Sequence, residues 1–317
     1  MKLVLDKKLK ALSVYAVGDE VEKVTGGNPG AREFLVHTFK NPRLLTDNAA
    51  IAKLPSVLRD AVVKTYEFPE RVTEYDGVSV FWSEAEYPGV WAPSIDTMLF
   101  ARALRKALAG TRRLKSARSL LEIGCGSGFL AKYVLAKKRV LGKPLEFAHL
   151  MDINRDAIKC ALDNLDGVRR GTDVFYSHNR IGAPLRMDRR YDLVICNPPY
   201  IPRPAAGRGN PYEGLFLYHE IFDKAEAMLQ PDARLYICFS SLSEDAMLAL
   251  FKKKFRVRIL DSLKVPLKIP PVFSGLSAES CRWVKYLERC GTVMIDTSER
   301  SGYRYWETIR IAECALK

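Results

Sequence analysis

Short apolar runs separated by longer amphipathic stretches organise the chain from about residue 95 to residue 263. Ser119–Ile123, Leu145–Met151, Thr172–Tyr176, Asp192–Cys196, Arg234–Phe239 and Phe255–Leu263 have the length of strands. Continuous apolar runs bounded by turn residues suit strands of a parallel sheet covered on both faces. Between them, Met98–Leu108, Phe129–Leu135, Arg155–Leu165, Glu213–Leu229 and Ala246–Phe251 read as helices. Tyr303–Ala312 alternates apolar and polar positions and adds a seventh strand. Strands that take turns with helices in this way predict an α/β fold.

The pattern changes at both ends of this core. Residues 1–70 carry helical periodicity near Ala31–Phe39 and Pro55–Tyr66, with Pro42 and Pro69 as breakers, and are expected to form a small helical accessory domain. Arg71–Ser83 alternates around Asp76-Gly77, a hairpin signal that puts Val78, Val80 and Trp82 on one face. This hairpin is expected to open the main domain, residues 71–317, with 71–97 as its entry segment. Residues 264–302 are long for a connection between the sixth and seventh strands and read as an insertion, with a helix at Ser277–Arg289 and a strand at Thr292–Asp296. Lys268, Arg282, Lys285 and Arg289 lie there beside Phe273, Trp283 and Tyr286. That mixture suits nucleic-acid contact and equally an aromatic-faced helix packed on the sheet.

A chain of 317 residues can bury one large core and a smaller domain. Its 48% hydrophobic and 27% charged residues are ordinary for a globular protein. The formal charge of +13 is not, and it points to an anionic partner such as RNA, DNA or a ribonucleoprotein, although charge also serves solubility. Seven of the basic residues fall between Arg102 and Arg118 with no acid among them, as a solvated face or an anion contact. The seven cysteines form no CxxC pair, and Cys160, Cys196 and Cys238 lie in apolar patterns, as buried thiols rather than metal ligands or disulfides. The first residues are interrupted by Lys7, Lys8 and Lys10 before a hydrophobic segment forms. No signal peptide, membrane span or metal site is expected, and the expected location is the cytoplasm.

Candidate chemistry gathers at the strand ends. Glu122-Ile123-Gly124-Cys125-Gly126-Ser127-Gly128 is a strand end followed by a glycine-rich turn and a helix. A dinucleotide fingerprint needs G-x-G-x-x-G, and here the third glycine comes one residue early. Glu122 suits a ligand with a cationic amine, as S-adenosylmethionine has. Asp152 ends the second strand, where a carboxylate can accept both hydroxyls of a ribose, or can cap the next helix unless Asn154 does so. Ser177-His178-Asn179 forms a polar tip on the third strand, with His178 also readable as a surface histidine. Asp96-Thr97 opens the Met98–Leu108 helix, as a cap or as a ligand contact at the helix N-terminus. Asn197-Pro198-Pro199-Tyr200 ends the fourth strand. Two prolines stop the strand and remove two backbone donors, leaving rigid carbonyls beside the Asn197 oxygen and a flat tyrosine ring. Two acceptors and a stacking surface suit a planar NH2 group.

Taken in order, Glu122-x-Gly124-x-Gly126-x-Gly128, Asp152-Ile153-Asn154 and Asn197-Pro198-Pro199-Tyr200-Ile201 resemble the class I methyltransferases. They resemble more closely the HemK/PrmC branch, which methylates a glutamine side-chain amide, and Pro93-Ser94-Ile95-Asp96-Thr97 resembles that branch's segment before the first sheet strand. The resemblance covers roughly residues 75–262. It implies a Rossmann-like seven-stranded sheet with an antiparallel last strand and S-adenosylmethionine as cofactor. The implied cofactor contacts are Asp96, Thr97, Glu122, Gly124, Gly126, Gly128, Asp152, Ile153, His178, Asn179 and Asn197. The implied catalytic groups are Asn197 and the Pro198 carbonyl, which orient the target nitrogen, and Tyr200, which packs on its plane. Three functions remain open: N-methylation of a glutamine amide in a ribosome- or RNA-associated protein, N-methylation of a nucleic-acid base, and a non-catalytic partner subunit that keeps the fold.

Overall fold

The computed structural model describes residues 12–16, 35–39, 70–83, 85–110, 112–179, 185, 189–202, 215–267, 278–295 and 305–317. They divide into two compact units, 1–86 with 264–308, and 87–263 with 309–317.

In the first unit, β1 (Leu12–Ala16), β2 (Leu35–Phe39), β3 (Glu70–Tyr75) and β4 (Val78–Ser83) form a four-stranded antiparallel sheet in sequence order. The β3–β4 turn is the expected Asp76-Gly77, and both residues have positive φ, +51° and +73°. Two positive φ angles give a turn whose twist matches that of the strands it joins. Val78, Val80 and Trp82 are buried, as the alternation requires.

One expectation is corrected here. The helical reading of residues 31–39 fails, because Leu35–Phe39 is a strand. In five residues with apolar side chains at 35, 36 and 39, the helical and strand periods are not distinguishable, and pairing with β3 decides the outcome. The other expected helix, 55–66, lies outside the described residues. β3 pairs with β2 through Leu35↔Glu74 to Thr38↔Arg71, so the hairpin continues the sheet of β1 and β2. Residues 264–308 group with the unit that holds this sheet.

The second unit runs α1 (Ile95–Gly110), α2 (Arg112–Ser116), β5 (Ser119–Ile123), α3 (Phe129–Val140), β6 (Phe147–Asp152), α4 (Arg155–Leu165), β7 (Asp173–His178) and β8 (Tyr191–Cys196). It continues through α5 (Phe216–Asp223), α6 (Ala225–Met228), β9 (Leu229–Ser240), α7 (Glu244–Lys254) and β10 (Phe255–Pro266). α8 (Ala278–Arg289) and the short β11 (Met294–Ile295) belong to the first unit, and β12 (Tyr305–Leu316), which crosses the boundary after Thr308, is the last strand. The single helix expected over 213–229 is two, α5 and α6, meeting at Lys224.

Sheet order is β10-β12-β9-β8-β5-β6-β7, with β11 paired to β12. Strands β5 to β9 run parallel where they pair, and β12 is antiparallel to β9. This is an α/β sheet with an antiparallel last strand. Leu120, Leu121, Leu193, Val194 and Ile195 are fully buried, which explains why these runs lack alternation. Chain order reverses between β5 and β8, and a doubly wound sheet opens a crevice at the carboxyl ends of strands at that point. Ile123 pairs with Cys196, so Gly124 and Asn197 leave neighbouring strands at the same level.

Two buried cations brace this unit. Arg102 on α1 grips Asp261 on β10 through two bonds of 2.7 and 3.0 Å, and Lys106 adds a third at 2.9 Å. Burial pushes the Asp261 carboxyl up, but the hydrogen bonds from Arg102 and Lys106 outweigh it and hold the group below the ordinary range. Lys138 on α3 is 1% exposed and donates to the carbonyls of Leu114, Lys115 and Ala117, closing the C-terminal end of α2. Among the described residues no helix is long and apolar enough to cross a membrane.

Candidate active site

The site is built on the turn after β5. Gly124 N–H and Cys125 N–H both donate to the Met151 carbonyl at the end of β6, at 2.9 and 3.1 Å. Gly128 N–H returns to the Cys125 carbonyl at 2.7 Å. Gly124, Gly126 and Gly128 have φ of +71°, +51° and +75°, a region that side chains resist. Space separates their roles. A Cβ on Gly124 would meet nothing within 4 Å, and one on Gly126 would only graze the Trp91 carbonyl at 4.0 Å. A Cβ on Gly128 would lie 2.8–2.9 Å from Leu165 and Ala161 of α4. The first two glycines leave a backbone cradle open to a ligand, and the third lets α3 and α4 pack closely.

Asp152 sits at the end of β6 beside this cradle. Its Oδ2 accepts from Gly126 N–H and its Oδ1 from Asn154 N–H, both at 2.9 Å. Burial raises the carboxyl above the ordinary value, and the backbone donors of Asn154 and Gly126 oppose that shift. Each oxygen keeps a second lone pair, so the group can still accept from paired hydroxyls. The cap of α4 is Asn154, whose side chain accepts from Asp156 N–H at 2.9 Å. Asn154 Nδ2 also donates to the Pro88 carbonyl at 3.3 Å, and Tyr87 donates to Asp163 at 2.9 Å, so residues 87–91 are tied over the β6–α4 turn. Sequence reading missed these ties, and their 66- and 76-residue separations leave no local signal.

Glu122 is placed differently from expectation. It is 3% exposed, and its Oε2 accepts from Ala131 N–H in the first turn of α3 at 3.0 Å. Burial pushes its carboxyl well above the ordinary range. The bond from Ala131 ties the side chain to the start of the helix. His178 is exposed, with its Nε2 2.9 Å from the Ile153 carbonyl, so it ties the β7 tip to the β6–α4 turn. Ile153 is half-buried and packs on the core. Asn179 N–H donates to the Asp152 carbonyl at 2.8 Å, and its Nδ2 is buried without a partner among the described residues.

The other half of the site is the tip of β8. Asn197 Nδ2 donates to Asp96 Oδ2 at 2.8 Å, and Asp96 Oδ1 accepts from Ser94 Oγ. Asn197 Oδ1 is buried with no partner among the described residues. An unpaired buried acceptor costs roughly 1–3 kcal/mol, so its persistence calls for an explanation. Pro198 is buried, and Tyr200 is half-buried with its ring against the core. Thr97 serves the start of α1, where its Oγ1 takes Ser94 N–H at 3.4 Å. The structure therefore brings together Gly124, Gly126, Asp152 and Asn179 around the glycine turn, and Asp96 with Asn197 at β8.

An S-adenosyl group fits these residues. Gly124 leaves room for it, Asp152 retains lone pairs for a ribose, and the orphaned Asn179 nitrogen can donate to a purine ring acceptor. The basic run before β5 is less available to an anion than its sequence suggests. Arg102 and Lys106 are paired with Asp261, and Arg118 with Glu146.

Residues 91–259 match the methyltransferase small domain family. A release factor glutamine methyltransferase of Geobacter sulfurreducens is 28% identical over 181 residues, 52% of this chain and 58% of the relative. A tRNA1(Val) (adenine(37)-N6)-methyltransferase of Dickeya chrysanthemi is 28% identical over 164 residues, 48% of this chain and 63% of the relative. The chain thus spans less than two thirds of either relative's length. Among solved structures, the tRNA m1G37 methyltransferase of M. jannaschii superposes with a TM-score of 0.47 at 13% identity, over 78% of this chain and 55% of that one. With the glycine turn, Asp152 and the Asn-Pro-Pro-Tyr tip all inside a match that spans more than half of its residues, the chain belongs to the methyltransferase small domain family.

Proposed function

We propose that this protein is an S-adenosylmethionine-dependent N-methyltransferase whose target is a planar NH2 nitrogen, first of all a glutamine side-chain amide in a ribosome- or RNA-associated protein. The observation that carries the reading is the buried Oδ1 of Asn197, without a partner among the described residues and one strand away from the open Gly124. An acceptor held there suits an N–H donor. When bound, S-adenosylmethionine supplies a methyl on a positively charged sulfur, which departs as a neutral thioether with the bonding pair. Gly124, Gly126 and Asp152 hold the donor side. Asn197 Oδ1 and the Pro198 carbonyl accept the two N–H bonds of the target.

The lone pair of an amide or aryl amine is delocalised, so attack requires the nitrogen to become more tetrahedral. As the N–C bond forms, the nitrogen gains positive charge and its protons become better donors. Both acceptors then bind the transition state more tightly than the ground state, and the nitrogen afterwards releases one proton to solvent. Alignment of the target against the methyl supplies the remainder.

A nucleobase exocyclic amine offers the same two N–H bonds, and the formal charge of +13 supports it as a second reading. The adenine-directed relative supports it as well. Purified protein incubated with methyl-tritiated S-adenosylmethionine and separately with total protein, total RNA and total DNA decides between them. Label in a protein band, recovered as N-methylglutamine after enzymatic digestion, is the expected result. Label in nucleic acid alone selects the second reading, and label in none of the three overturns both.

A further inference from the structure

Asn197 is useful to an NH2 target in only one of its two amide orientations. Oxygen and nitrogen of an amide have nearly the same shape, so packing alone does not choose between them. The neighbour does. A carboxylate only accepts hydrogen bonds, so the atom of Asn197 that lies 2.8 Å from Asp96 Oδ2 has to be the nitrogen. Ser94 Oγ, donating to Asp96 Oδ1, holds the carboxylate from its far side. With nitrogen committed to Asp96, Oδ1 is left as the acceptor, and it is the atom found buried without a partner among the described residues. Turning the amide over would set two acceptors against each other at Asp96 and aim a donor at a target that itself brings donors.

We infer that Asp96 is a positioning residue for methyl transfer: it selects the orientation of the Asn197 amide and so creates the acceptor that receives the target nitrogen. The catalytic part of this inference rests on the proposed transfer to an NH2 nitrogen. Asp96 is thereby moved from the cofactor contacts to the target side of the site. The pair links the first turn of α1 to the tip of β8 across 101 residues of sequence.

A double-mutant cycle reads the coupling. Asp96→Ala is expected to lower kcat by about ten- to a hundredfold, the order expected when a reacting group loses its alignment, with S-adenosylhomocysteine affinity changed less than about twofold. Asp96→Asn can turn its own oxygen toward Asn197 and is expected to recover most of that loss. In the Asn197→Ala background, Asp96→Ala is expected to cost less than about twofold, because no amide remains to be oriented. Equal losses in both backgrounds, or a loss of S-adenosylhomocysteine binding in place of kcat, would overturn the inference.

A second readout does not depend on turnover. In protein labelled with ¹⁵N at asparagine side chains, the Asn197 Nδ2 protons, assigned by their disappearance in Asn197→Ala, should exchange slowly with solvent and become fast in Asp96→Ala. Unchanged exchange rejects the Asp96 role whatever the enzyme methylates. Protected exchange in a protein that labels no substrate rejects the proposed reaction and leaves the orientation by Asp96 standing.

Discussion

The turn after β5 is held through its backbone N–H groups, with Gly124 and Cys125 donating to the Met151 carbonyl, Gly128 to the Cys125 carbonyl and Gly126 to the Asp152 carboxylate. The tip of β8, one strand away, is held by side chains: Ser94 and Asn197 both donate to Asp96, and no described residue bonds Asn197 Oδ1. The two loops share a level in the sheet, yet they fail in different ways. A backbone cradle tolerates changes around it and is damaged only where a Cβ cannot fit. A side-chain acceptor is lost with a single truncation, while the fold around it survives. Under the proposed function, binding of the methyl donor rests on the chain path, and selection of the target nitrogen on a few replaceable atoms.

The sharpest test of that contrast is Asn197→Ala. Turnover should fall by about a hundred- to a thousandfold, the loss seen for groups that act on transition-state charge, while S-adenosylhomocysteine affinity and melting temperature stay nearly unchanged. A variant with near-normal turnover breaks the comparison on the β8 side. Next in size is Gly128→Ala. The new methyl would meet α4 at 2.8–2.9 Å in a backbone conformation that side chains resist, and a loss of about 3 kcal/mol is expected in urea unfolding.

Gly124→Ala has the same positive φ but open space, so it should cost only about 1 kcal/mol of stability while weakening S-adenosylhomocysteine binding measured by calorimetry. If Gly124→Ala and Gly128→Ala change stability and binding alike, the division of labour within the turn is wrong. The smallest effect belongs to Glu122→Gln. Burial raises the folded-state pKa of Glu122, so its ionised form costs the folded protein more as pH rises from the unfolded-state value of about 4.3. The neutral amide of the variant would keep the bond from Ala131 N–H without that cost. Its melting temperature should therefore equal or exceed that of the parent by an amount on the order of a few degrees, with the margin growing from pH 5 to pH 8.

Much of this was legible in the sequence, and for identifiable reasons. The runs at 119–123 and 191–196 are apolar on both faces because both faces of a central parallel strand are covered. Arg155–Leu165 was bounded correctly by its cap, because an asparagine before an amphipathic run has a local mechanism. The helical reading of 31–39 failed for the opposite reason. A short segment with no capping signal takes its conformation from the strand it meets. The charge between Arg102 and Arg118 did not reveal that Arg102 is buried against a partner 159 residues further on, at Asp261.

Order and spacing of the motifs determined by themselves the fold class, the glycine turn and the presence of an Asn-Pro-Pro-Tyr tip, because each depends on backbone geometry encoded by neighbouring residues. Tertiary structure alone decided which atoms of those motifs remain available. Glu122 meets the start of α3, Gly128 packs against α4, and Asp96 accepts from Asn197. The physical reason is that hydrogen-bond capacity is finite and is shared among groups that meet only after folding. Which acceptor is left over therefore cannot be read from the residue that carries it.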